Sequence, residues 1–173
     1  MEKDYQPIIN LHNLLDSNAC SFSCAEVALK NILPQWINMA GSLKLKTAFQ
    51  KYLEHVEDNI EKIDGFCVEE NVKSLYVTNR VMKAFIDEAE EKTSMCADAA
   101  IKDACLLACV QAINHFKISM YGTAAAFAME LGMEKHAAVF YESEVKEKQT
   151  DDRLSQLAKY EINQYAKSPL VLE

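Results

Sequence analysis

The residues best suited to chemistry form a polar cluster inside the most apolar helical stretch of the chain, between residues 111 and 123. The cluster contains Gln111, Asn114, His115 and Lys117. Burial of an amide, an imidazole and an ammonium in one helix costs on the order of several kcal/mol of free energy, unless each group has a hydrogen-bonding or charged partner. The pattern therefore predicts a functional site or the remains of one.

A carboxylate in another segment is the natural partner for this cluster. Glu26 precedes Leu29 by three residues and Leu33 by seven, and so shares their core-facing stripe. We expect a salt bridge between Glu26 and Lys117, standing where a metal ion could otherwise sit. Metal ligation by Glu26 and an exposed Glu26 are the alternatives.

Two histidines are candidate ligands. His115 follows Gln111 by four residues and precedes Ser119 by four, which predicts a core histidine that bonds a hydroxyl or a carbonyl rather than a metal. His55 lies on the flank of the apolar stripe of its own helix. Both metal ligation and hydrogen bonding remain open for His55.

Other pairs of polar residues carry weaker signals. Two pairs of glutamates are separated by one helical turn, and we interpret most of them as solvated: Glu54 with Glu57, and Glu144 with Glu147. Two pairs of cysteines have the Cys-x-x-x-Cys spacing, which differs from that of redox and zinc motifs: Cys20 with Cys24, and Cys105 with Cys109. Packed thiols are the expected role of these cysteines.

Length and charge exclude several classes of protein. A chain of 173 residues with 50% hydrophobic residues predicts one domain, residues 1–167, followed by a loose tail at 168–173. The net charge is −8 and the basic residues are scattered, which argues against binding of nucleic acid. The polar start and the few cysteines favour a cytoplasmic protein. The longest apolar run, residues 104–113, is too short to span a membrane.

Helix-forming residues dominate, and the chain has only four glycines and three prolines, so an all-α fold is predicted. Pro7 opens a short apolar segment that falters at residues 16–18. The further segments are a first helix that contains Glu26, has a kink at Pro34 and ends at Gly41; a second from a cap at Ser42 to Gly65; a crossover helix over 77–91; a third helix over 97–131; and a fourth from about Glu134 to Ile162.

The lengths of the connections predict the topology. Tight turns at Gly41-Ser42 and at Gly132 join two antiparallel hairpins, and a long crossover joins the hairpins. One long crossover is typical of the ferritin-like four-helix bundle. Di-iron members of this class use the motif Glu-x-x-His. The residues three positions before the four histidines of this chain are Ile9, Tyr52, Ala112 and Met133, so the chain does not contain this motif.

With the bundle in place, the chain resembles the bacterial YciF-type ferritin-like proteins, a stress-linked family of uncharacterised function. The resemblance covers about residues 8–166. It rests on segments that recur in order and at matching spacing: Ala25-Glu26-x-x-Leu29, Phe49-x-x-Tyr52-Leu53, Met82-x-x-x-Ile86-Asp87-Glu88-Ala89, Ile101-Lys102-Asp103-Ala104, Tyr121-Gly122-Thr123, Leu131-Gly132, and Glu147-Lys148-x-x-Asp151-x-x-Leu154.

The chain departs from this family at the metal site. Where the family has Glu-His-Tyr-Glu, this chain has Asn114-His115-Phe116-Lys117. The resemblance implies that carboxylates are replaced at His55, Asn114, Lys117 and Lys146, and that a vestigial metal set would consist of Glu26, His55, His115 and Glu147. Lysines in place of glutamates would repel a divalent pair.

These observations lead to three expectations. The first is a stress-associated homodimer without a cofactor, which has a binding or structural role and no catalytic one. Its core would contain a polar network of Glu26, Tyr52, Asn59, Gln111, Asn114, His115, Lys117 and Tyr121. The alternative is an oxidoreductase or peroxide-scavenging protein that binds iron or another divalent metal, in a mononuclear or di-iron site. A third is a small-ligand pocket beside His115.

Overall fold

A computed structural model describes residues 7–72 and 78–167, and contains no strand in these ranges. The expected tail at 168–173 and Val77 of the expected crossover helix lie outside the described residues. Five long helices follow one another: α1 Leu11–Met39, α2 Leu43–Glu69, α3 Arg80–Ser94, α4 Ala99–Glu130 and α5 Glu134–Leu157. A π-helical turn at Ala158–Ile162 and a short helix, α6 Asn163–Tyr165, complete the described chain.

Side-chain caps determine where four of the helices begin. Asn10, Ser42, Asn79 and Asp98 each accept a hydrogen bond from the backbone N–H three residues later. Such a bond satisfies one of the N–H groups that a helix start leaves without a partner. The turn between α4 and α5 depends on Gly132, whose φ of +71° lies in the left-handed region that favours glycine.

Two predicted helix ends are wrong. The apolar segment after Pro7 does not break at residues 16–18, because Leu15 and Ala19 continue the buried stripe and α1 is one helix from Leu11 through Pro34 to Met39. The second helix does not stop at Gly65. It continues to Glu69, since burial of Phe66 against Phe140 outweighs the cost of about 1 kcal/mol for an interior glycine.

The helices form the expected bundle of two hairpins. α1 packs against α2, and α4 packs against α5. The hairpins meet through α1 with α4 and through α2 with α5, while the crossover helix α3 packs on α1 and α4. The all-α bundle with one crossover helix is therefore confirmed, and its core lies where the four long helices converge.

A buried carboxylate holds the two hairpins in register. Asp103 on α4 accepts hydrogen bonds from the backbone N–H groups of Gly41 and Ser42, both at 2.7 Å. Gly41 and Ser42 lie in the turn between α1 and α2, and Asp103 lies on α4, so these bonds attach the end of the first hairpin to the second. The sequence pattern around Asp103 gave no indication of this role, because the N–H groups that it accepts from lie about sixty residues away in the chain.

No helix in the described part of the chain is both long and apolar enough to cross a membrane.

Candidate functional site

Lys117 lies at the centre of the bundle with no exposed surface. Its Nζ is 2.6 Å from Glu147 Oε1 and 3.1 Å from Glu26 Oε2. The ammonium also lies 4.6 Å from the centroid of the Tyr52 ring, within reach of a cation–π interaction. Each long helix of the bundle thus contributes a side chain: α1 Glu26, α2 Tyr52, α4 Lys117 and α5 Glu147.

Helical spacing explains how α4 directs its polar side chains to this point. Asn114, Lys117 and Tyr121 follow one another at intervals of three and four residues, which places them on one face. All three side chains are buried. The same face carries Val110 one turn earlier, so the polar groups continue an apolar stripe.

Glu26 is surrounded by hydrogen-bond donors. Its Oε1 accepts from Asn59 Nδ2 at 3.2 Å and from the Tyr121 hydroxyl. Its Oε2 faces Lys117. Oε1 is therefore held by two hydrogen bonds, and Oε2 is 3.1 Å from the ammonium in an ion pair.

Glu147 is surrounded in the same way. Asn59 Nδ2 donates to its Oε1 at 3.0 Å and His55 Nε2 lies 3.0 Å from the same oxygen. Asn114 Nδ2 donates to Oε2 at 2.6 Å, and the Tyr52 hydroxyl donates to Oε2 at 3.3 Å. Asn59 therefore bridges the two carboxylates on one side, while Lys117 bridges them on the other.

The protonation states follow from burial and from the shared cation. Burial alone would lower the pKa of Lys117, but the charges of Glu147 and Glu26 outweigh it and raise that pKa above its usual value. For Glu147 burial is outweighed by Lys117 and His55, and its pKa is lowered. For Glu26 burial prevails over Lys117, and its pKa is raised. One ammonium thus holds Glu147 ionised and leaves Glu26 as the carboxyl that takes up a proton more readily.

The two tyrosines in the cluster act as neutral donors. Burial, reinforced by the nearest carboxylate, raises the pKa of Tyr52 and of Tyr121 well above the usual value. Both hydroxyls therefore keep their protons and donate them in hydrogen bonds to Glu147 and Glu26.

These side chains do not fit the dinuclear metal centre that a ferritin-like fold implies. A metal ion needs carboxylate and imidazole lone pairs directed at one point. Here an ammonium occupies the space between Glu26 and Glu147, and the amides of Asn59 and Asn114 also point N–H groups at them. Among residues 7–72 and 78–167, no three His, Cys, Asp or Glu side chains are arranged to hold a metal ion.

The structure brings together all of the predicted polar network except Gln111 and His115. The His115 side chain is 66% exposed and its Nε2 lies 2.9 Å from Asp151 Oδ1, so the prediction of a core histidine is wrong. Gln111 donates to Ser155 Oγ at 3.1 Å near the surface. Each residue of an α-helix turns by about 100°, so His115 points away from the face that carries Asn114.

Two further predictions on α5 require correction. Glu147, one of four paired glutamates of which most were interpreted as solvated and also a member of the vestigial metal set, is fully buried and contacts Lys117. Lys146, placed by the resemblance at the metal site, is 39% exposed and pairs with Asp58 and Glu142, each at 3.1 Å. Of the two lysines expected to repel a metal, Lys117 alone lies in the interior. The vestigial ligand set keeps Glu26, His55 and Glu147 close together and excludes His115.

The paired cysteines are buried or partly buried. Cys20 is buried, and Cys24, Cys105 and Cys109 are partly buried. Burial raises the pKa of Cys105 and of Cys109, which keeps both thiols protonated and unreactive at neutral pH. This chemistry agrees with the interpretation of packed thiols.

Comparison with known proteins gives one consistent answer. A family model described as a domain of unknown function, DUF892, matches residues 22–167. Protein YciF of Escherichia coli strain K12 is 33% identical over 145 residues, which cover 83% of this chain and 87% of that protein. The crystal structure of the E. coli stress protein YciF superimposes with a TM-score of 0.84 at 30% identity, over 93% of this chain and 100% of that one. YcfI of Rhodopseudomonas palustris, described as a candidate structural protein, gives a TM-score of 0.81 at 27% identity, over 90% of this chain and 97% of that one.

Proposed function

This chain belongs to the DUF892 family, and we propose that within it the protein is a metal-free member with a structural or binding role rather than a catalytic one. The observation that supports the proposal is the position of Lys117, whose ammonium contacts Glu26 and Glu147 at 3.1 and 2.6 Å in a site that is closed to solvent. The lysine supplies the positive charge that two buried carboxylates need.

The chemistry of the cluster supports a stabilising role. Its hydrogen bonds join all four long helices, and each carboxylate oxygen has either a hydrogen bond or the Lys117 ammonium beside it. A catalytic centre needs a position open to substrate, whereas Glu26 and Glu147 have no exposed surface. We therefore assign the cluster to holding the bundle in one arrangement.

Metal analysis tests this proposal. The protein is purified without chelators from cells supplied with iron, manganese and zinc, and its metals are measured by mass spectrometry. We expect far less than one metal ion per chain. The double variant Asn114→Glu, Lys117→Glu restores the carboxylates that the family resemblance implies, and it should gain metal. Near-stoichiometric metal in the unaltered protein, lost in Glu147→Gln, would show that the proposal is wrong.

The proposal extends to assembly and setting. The E. coli relative is described as a stress protein, and we propose a stress-associated role for this chain as well. We further propose that the chain is cytoplasmic and forms a homodimer. Light scattering during gel filtration should give about twice the chain mass of 19.5 kDa. A mass equal to that of one chain would contradict the homodimer and leave the metal-free core to its own test.

A further inference from the structure

A groove runs between α2 and α5, outside the lysine-centred core. Its space of about 440 Å³ falls within the range of small-ligand sites. Tyr52 and His55 form part of its floor, and Ala48 and Leu154 supply apolar wall. A second groove of about 460 Å³ adjoins it and shares Ala48 and Arg153. The third expectation placed a pocket beside His115, whereas His115 lines neither groove.

Two cations line this groove without carboxylate partners. Lys51 on α2 and Arg153 on α5 both contribute to its lining, and no carboxylate among the described residues lies within ion-pair distance of either. This is informative in a chain with 26 acidic and 18 basic residues, where most of the described lysines are paired. The remaining lysine of the groove, Lys146, is engaged by Asp58 and Glu142.

The floor of the groove adds a polar group held in a fixed position. His55 lines the groove while its Nε2 is held 3.0 Å from Glu147 Oε1 in the core. Its side chain is 11% exposed, so most of the ring is buried while a small part is accessible from outside the core. A ligand in the groove would therefore meet a positioned imidazole in a lining that also contains the cations Lys51 and Arg153 and the carboxylates Glu54 and Asp58.

We propose that the α2–α5 groove binds a small organic anion, its carboxylate or phosphate group held by Lys51 and Arg153 and its apolar part placed against Ala48 and Leu154. The planar guanidinium of Arg153 suits either anionic group, because it can donate two parallel hydrogen bonds to oxygen. The proposal goes beyond the metal-free role of the core. In the described part of the chain no ion pair joins either cation to Glu26 or Glu147. The core is tested by metal content and the groove by anion titration, so either proposal can fail without the other.

Nuclear magnetic resonance titration of the 173-residue chain tests the site. The probes are benzoate and phenyl phosphate, with inorganic phosphate as a probe that lacks an apolar part, all at constant ionic strength set with chloride. We expect saturable shifts of the His55 ring signals and of backbone amides in the middle of α2 and the second half of α5. Inorganic phosphate should bind more weakly than phenyl phosphate. The organic probe with the higher affinity identifies which anionic group the groove prefers.

Matched variants make the test specific. Lys51→Ala with Arg153→Ala should weaken binding by on the order of tenfold or more, since each removes a charge-assisted hydrogen bond. Lys102→Ala with Arg80→Ala changes the net charge equally at positions outside the groove and should leave binding unchanged. The proposal is overturned by the absence of saturable shifts with both organic probes, by equal affinity for inorganic phosphate, or by equal losses in the two double variants.

Discussion

Replacing Lys117 by methionine, a side chain of similar length, removes the cation at the centre of the bundle. With the carboxylate oxygens at 2.6 and 3.1 Å, each attraction is on the order of 5–6 kcal/mol at an effective dielectric constant of about 20. Most of this attraction is offset by the cost of removing three charges from water. The net worth of the lysine is therefore much smaller than the sum of the two attractions.

Loss of the lysine is nevertheless costly, because two buried carboxylates then face each other without a counter-charge. Breaking a buried ion pair from one side costs about 3–5 kcal/mol. For a chain of this size each kcal/mol lowers the midpoint of thermal unfolding by about 2–4 °C, so we expect a decrease of roughly 6–20 °C. Circular dichroism measures the midpoint, and urea denaturation at pH 7 measures the free energy of unfolding.

Lys146→Met is the matched control for this experiment. Lys146 also has two carboxylate partners, each at 3.1 Å, but its side chain is 39% exposed. An exposed pair contributes about 0.2–1 kcal/mol, so the control should be nearly as stable as the unaltered protein. If both methionine variants lose the same stability, burial of the charges is not the cause and the reasoning fails.

A rescue variant separates buried charge from lost packing. Adding Glu26→Gln and Glu147→Gln to Lys117→Met leaves no ionised group in the cluster and keeps the shapes of its side chains. Most of the lost stability should return, because uncharged groups of similar shape replace an ion network at little cost. A triple variant as unstable as Lys117→Met alone would attribute the loss to packing.

Three further predictions concern the ends of the bundle and its response to pH. Asp103→Ala removes two hydrogen bonds of 2.7 Å to the α1–α2 turn and should cost about 2–4 kcal/mol in urea denaturation, whereas a loss under 1 kcal/mol would deny it an anchoring role. Gly132→Ala should destabilise by about 1–2 kcal/mol because its φ is +71°, while Gly65→Ala, inside α2 with open space around it, should stabilise by about 0.5–1 kcal/mol; thermal shifts of the same sign would contradict this pair. Glu147 has a lowered pKa, so its stabilising contribution is present above its ordinary pKa of 4.5 and is lost as the pH falls through the folded-state value. Glu26 has a raised pKa, so its stabilising contribution depends on pH in the opposite direction: it is present below 4.5 and is lost as the pH rises through the folded-state value. At pH 7 Glu26→Gln should therefore cost less stability than Glu147→Gln. The reverse order would refute the assignment of the two protonation states.

Local sequence patterns predicted most of the fold. The cap at Ser42, the turn at Gly132 and the long crossover sufficed for two hairpins and a bundle, because capping and turn geometry depend on a few neighbouring residues. The end expected at Gly65 failed for the converse reason. Burial of Phe66 against α5 is a long-range contact that no local pattern contains.

The site was predicted less completely. Glu26 lies on an amphipathic helix, whose apolar stripe predicts its inward direction, and Lys117 was its natural partner. The grouping of Lys51 with Arg153 carried no signal in the sequence, since the two residues stand among other charges on helices far apart in the chain. The path of α2 beside α5 brings them to one groove.

The sequence by itself predicted that an amide, an ammonium and a carboxylate meet inside a helical bundle, with metal ligation by Glu26 and an exposed Glu26 as the alternatives. Only the tertiary structure decided which of these side chains face inward. Asn114, Lys117 and Glu147 are buried, whereas His115 and Lys146 face outward. The reason is that the spacing of apolar residues predicts which face of a helix is buried only when the opposite face is polar. α4 packs on α1, α3 and α5 and is apolar on most sides, so its neighbours, rather than its pattern, select the face that carries the site.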